Sequence, residues 1–135
     1  MRHRREALTI DFAPPRHGWM EVRLGDAVHF VASHVPHDSI EQLTSALLGF
    51  LESGRVGVAR FNCEPEQYEL SFAPGRAPGS LRLKLNDWSH EAEPRQIGRS
   101  IWRALRRLET QFDSSHWMHG FPTKEVEALG RLTSR

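Results

Sequence analysis

The chain has a single cysteine, Cys63, among its 135 residues. One thiol can form neither an internal disulfide nor a cysteine-based zinc site, which fits a reducing compartment. No apolar run approaches the roughly 20 residues of a membrane-spanning helix. The opening stretch, MRHRREALTI, carries a basic run but lacks the apolar core of a secretory leader. A cytoplasmic location without a membrane partner is the expectation. Net charge is nearly missing too, at +1. The chain as a whole therefore has no electrostatic pull toward nucleic acid, although a local patch can still exert one. No period of solenoid length recurs. No glycine-rich loop opens a helix as a phosphate cradle would, because Gly75 and Gly79 follow prolines instead. A chain of this length suits one domain, 1–135. Within it, 1–6 reads as a flexible basic arm and 113–135 as an irregular C-terminal extension.

What is present is mostly amphipathic patterning. The clearest element is a helix over Asp38–Gly54. Asp38 and Ser39 are both good N-caps, and Glu41 and Gln42 stand three residues beyond them as capping-box partners. Ile40, Leu43, Leu47, Phe50 and Leu51 fall in one arc about 100° wide. Gly54 suits the left-handed C-terminal position. Gly49 interrupts the helix at a cost of about 1 kcal/mol, and a close approach to a sheet is the favoured reason for it.

Short alternating runs flank this helix. Leu8–Phe12, Trp19–Leu24, Ala27–Ser33, Gly57–Cys63, Tyr68–Phe72 and Leu81–Leu85 each place apolar residues on one side. Gly25-Asp26 predicts a two-residue turn joining the second and third. The loop Pro74–Ser80 should be exposed. A second helix is expected from about Pro94 to Phe112, with Ile97, Ile101, Ala104, Leu105, Leu108 and Phe112 as its stripe. Thr123–Leu129 can form a short last helix stopped by Gly130. The predicted fold is α+β, in the order β-β-β-α-β-β-β-α. It has one antiparallel sheet of about six strands, with two main helices on one face and a short helical tail.

Several groups bear on chemistry. Cys63 and a histidine could act as nucleophile and base, yet Cys63 runs in phase with Phe61, which favours packing. His34-x-x-His37-Asp38 and His116-x-x-His119 have ligand-like spacing, but neither lies on a firm helix or completes a ligand set. Asp87, His90 and Glu91 form a polar group beside Trp88, which reads as a corner anchor. No metal and no cofactor is expected. The most one-sided charge is on the second helix, where Arg95, Arg99, Arg103, Arg106 and Arg107 lie within about 120° of one another. With Trp102 at the edge of the apolar stripe, they have the composition of a protein-binding surface. An acidic protein fits them better than nucleic acid, since no nucleic-acid module is recognisable. Trp88, Trp102 and Trp117 all fall in the second half and suit the rim of a small core.

The order of these motifs resembles the immunity proteins of bacterial polymorphic-toxin systems, in particular the wall-associated-toxin immunity type. The resemblance is carried by Trp19-Met20-Glu21-Val22, by the acid-capped leucine helix Asp38-Ser39-Ile40-Glu41-Gln42-Leu43, and by Gly57-Val58-Ala59-Arg60-Phe61. It continues through Glu66-Gln67-Tyr68-Glu69-Leu70, Leu81–Leu85 and Ile97–Phe112, so it covers about Leu8 to Phe112. The Pro74–Ser80 loop, the arginine face and the chain after Phe112 depart from it. It implies a non-enzymatic protein that neutralises a toxin by covering it. A small enzyme with a Cys/His pocket and a nucleic-acid accessory domain stay as alternatives.

Overall fold

The computed structural model describes residues 7–134; the expected basic arm lies outside the described residues. Seven strands form one antiparallel sheet in strict chain order. They are β1 (Ile10–Phe12), β2 (Trp19–Leu24), β3 (Val28–Ser33), β4 (Gly57–Asn62), β5 (Gln67–Pro74), β6 (Leu81–Leu85) and β7 (Trp88–Ala92). The helices are α1 (Ser39–Ser53), α2 (Pro94–Glu109) and α3 (Thr123–Thr133). α1 lies on β4, α2 packs against β1, and α3 rests on both helices. The core fills the space between, with Met20, Phe61, Phe72, Leu43, Leu47, Ile101 and Leu105 all buried.

The strand beyond the expected six is β7. Its Trp88, His90 and Ala92 pair with Leu85, Leu83 and Leu81 and so share the inner face. A histidine at an inward position hides the apolar alternation. The usable signal was the two-residue turn Asn86-Asp87, with Asn86 at φ +52°.

Between β2 and β3 the loop is one residue longer than expected, because Leu24 pairs with Val28. The sheet face explains this. A two-residue turn would set Ala27, His29 and Val31 beside Leu24, Val22 and Met20, turning Phe30 and Ala32 outward. The third loop residue keeps the buried set together.

α1 starts where its capping signal stands. Asp38 accepts from the Glu41 N–H at 3.3 Å, and Gly54 closes the helix at φ +70°. Ser39 does something else: its hydroxyl donates to the Arg60 carbonyl at 2.7 Å and fastens α1 to β4. The close approach of helix to sheet is not at Gly49. A Cβ there would meet only the Arg55 side chain, no nearer than 3.6 Å, whereas one at Gly57 on β4 would come within 3.2 Å of Ala46.

α2 ends at Glu109, three residues short of the expected boundary. Phe112 leaves the helix and packs edge-on against Phe121, 5.2 Å between ring centres. The chain after it is more ordered in pattern than its sequence suggested. One 3-10 turn, Ser114–His116, leads to the fully buried Trp117, and α3 then runs through Gly130 to Thr133. Gly130 is a packing residue rather than a stop, since a Cβ there would come within 2.7 Å of the Trp102 indole nitrogen.

Candidate binding surface

The arginines of α2 divide into two groups. Arg99 donates through Nε and Nη2 to the Thr133 carbonyl, at 3.2 and 2.7 Å, and so caps the end of α3. Arg107 donates to the Ile10 carbonyl at 3.3 Å and stands 3.8 Å from the Asp11 carboxylate. These two arginines tie α2 to its neighbours. Arg95, Arg103 and Arg106 are exposed on the outer side. Arg106 lies over the Trp102 ring at 5.9 Å and pairs with Glu109 at 3.5 Å. Among the described residues, no ion pair engages Arg95 or Arg103. Trp102 is half-buried in the seam between α2 and α3. A surface hollow of about 720 Å³ opens where Arg106 and Arg107 meet Asp11–Pro14. The expected binding set thus keeps a cationic crest, while Arg99, Arg107 and Trp102 also hold the fold.

His34 and His119, one from each of the two sequence pairs, come together just after β3. Gly18 donates to the His116 carbonyl at 2.6 Å, and the His17 N–H donates to His116 Nδ1 at 3.2 Å. The His34 ring packs 5.7 Å from His119 and 6.2 Å from Trp117. The Trp117 indole donates to Asp38 at 2.9 Å, on the same oxygen that caps α1. His37 turns away toward Gln42 and Gln67. Gly18 cannot carry a side chain here, because it sits at φ +85° and a Cβ would lie 2.6 Å from the His34 ring. This group is a joint that docks the C-terminal segment. Among the described residues, no three His, Cys, Asp or Glu side chains are grouped to hold a metal.

Cys63 is half-buried against the core, and burial, helped by the Glu66 charge, pushes its thiol up to about 11. That favours the thiol over the thiolate that nucleophilic chemistry needs. Asp87, His90 and Glu91 do not converge. Asp87 is in the exposed turn, His90 lies on the inner face parallel to Trp88, and Glu91 faces the Pro74–Ser80 loop. There the Glu91 carboxylate accepts from the Ala77 N–H and the Ser80 hydroxyl, both at 3.0 Å. The loop is exposed at its tip, but Ser80 is buried.

One feature escaped the sequence because its parts are far apart in the chain. β3 and β4 are joined only at Ser33 and Asn62. The rest of β3 parts from the next strand, and a cleft of about 440 Å³ opens beside it, lined by Phe30, Tyr68, Leu85, Asp87 and Trp88.

No family model matches the chain, and neither do curated proteins or solved structures. No helix among the described residues is long and apolar enough to cross a membrane.

Proposed function

We propose that this protein is a non-enzymatic binding module that covers an acidic protein partner with the outer side of α2. The observation that carries this reading is the exposed crest of Arg95, Arg103 and Arg106 on a helix with five arginines and one glutamate. Like charges so close raise one another's energy, and an acidic surface brought against them relieves it. The ties of Arg99 and Arg107 hold α2 in place, so the backbone that carries the crest is already fixed before binding. Neutralisation of a toxin by covering an acidic surface is the biological role this reading fits.

The test is complex formation with an acidic protein isolated on the tagged chain. Arg103→Glu with Arg106→Glu is expected to abolish it, while Arg82→Glu with Lys84→Glu, on the opposite face of the sheet, leaves it intact. A complex that survives the first pair removes α2 from the interface. Loss of the complex after nuclease treatment would show that a nucleic acid carried the contact instead.

A further inference from the structure

The cleft beside β3 has a lining that selects for charge, and it is separate from the arginine crest. Phe30 and Tyr68 stand on one side, 4.9 Å between ring centres and tilted by 59°. Trp88 also lines the cleft, with its ring nearly parallel to His90, at 13° and 6.5 Å between ring centres, and its indole nitrogen over Gly25, where a Cβ would come within 3.2 Å of it. Leu85 adds an apolar wall, and Asp87, in the exposed β6–β7 turn, adds a carboxylate. Among the described residues, no lysine or arginine lines the space. The imidazole at its rim, His29, is 3.4 Å from the Glu21 carboxylate. Aromatic faces carry negative potential, so aromatic rings and one acid, with no lysine or arginine among the described residues beside them, favour a positive guest. The volume of about 440 Å³ lies in the range of small-molecule sites.

We propose that this cleft binds a small organic cation of the alkylammonium class. The rings would contact its alkyl groups and charge, and Asp87 would supply the counter-ion. Opening the cleft requires β3 and β4 to part, which the single Ser33–Asn62 pairing allows.

Choline and its neutral tert-butyl isostere are suitable probes, titrated against the full chain and followed by tryptophan fluorescence and calorimetry. Saturable choline binding is expected, at least about tenfold tighter than the isostere, which corresponds to a difference of about 1.4 kcal/mol. Asp87→Asn, a change in an exposed turn, should weaken choline binding and not the isostere's, with the unfolding midpoint unchanged. Trp88→Phe should weaken both. Equal binding of the two probes would overturn the proposal in favour of a merely apolar recess. Absence of saturable choline binding by the intact protein would overturn it outright.

Discussion

α1 and α2 lie on the same face of one sheet, yet they use their polar side chains in opposite ways. On α1 several of these side chains turn back to the fold, while Glu41, Ser45 and Glu52 stay exposed. Ser39 binds the Arg60 carbonyl, Gln42 takes the Arg60 N–H at 2.8 Å, and Thr44 and Ser53 bind carbonyls of their own helix. Among the described residues, the arginines of α2 tied to backbone carbonyls are Arg99 and Arg107, and Arg95, Arg103 and Arg106 face solvent. A helix that keeps long cationic side chains on a single side has surface left for a partner. Both helices are amphipathic, α2 much the more strongly, because its outer side carries long cationic side chains where α1 has mostly short polar ones.

The largest effect should come from the joint that seats α1. Trp117→Ala removes a fully buried ring and the donor to Asp38, and should cost about 3–5 kcal/mol in urea unfolding. A loss below about 1 kcal/mol would mean that the C-terminal segment is not integral to the core. Next in size is the seam beside α2. Gly130→Ala drives a methyl group into the Trp102 indole and should cost about 1–3 kcal/mol by the same measurement. An unchanged midpoint would show that the two helices are free to separate there. The smallest effect is on α1 and has the opposite sign. Gly49→Ala meets only ordinary contacts and should stabilise by about 0.5–1 kcal/mol.

Cys63 supplies a pH test. Its thiol ionises at about 11 rather than the ordinary 9.0, so below pH 9 it is neutral whether the chain is folded or not. Between these values the unfolded chain loses the proton first. Stability from the buried neutral thiol is therefore complete below about pH 9 and falls as pH rises toward 11. Cys63→Ala should remove that part of the alkaline decline. An identical decline in both proteins would show that other groups cause it.

Local signals were legible wherever one residue type answers one local need. Asp38 and Gly54 mark the ends of α1 because capping is decided within a turn, and β2, β3 and β6 follow from alternation alone. The loop Gly25–Ala27 is one residue longer than turn propensity alone predicts, because the buried face sets the register. β7 was hidden by His90 at an inward position. Gly49, Gly57, Gly98 and Gly130 look alike in sequence, and only the neighbour each one faces separates a packing glycine from a tolerated one. At Gly98 that neighbour is Thr133, whose methyl would lie 2.8 Å from a Cβ. The arginine crest could be located from spacing, but not the division of labour within it, because the Thr133 and Ile10 carbonyls come from distant parts of the chain. The aromatic cleft joins β3, β5 and the β6–β7 turn, and no window of sequence contains it.

The most direct measurement sets Arg99→Gln beside Arg103→Gln and records unfolding and partner binding for each. Arg99→Gln is expected to lose about 1–2 kcal/mol of stability, from the charged donor to the Thr133 carbonyl, and to keep its affinity once folded. Arg103→Gln is expected to keep its unfolding midpoint and weaken binding to the acidic partner. Undiminished affinity in Arg103→Gln would contradict the assignment of the crest of α2 as the contact surface.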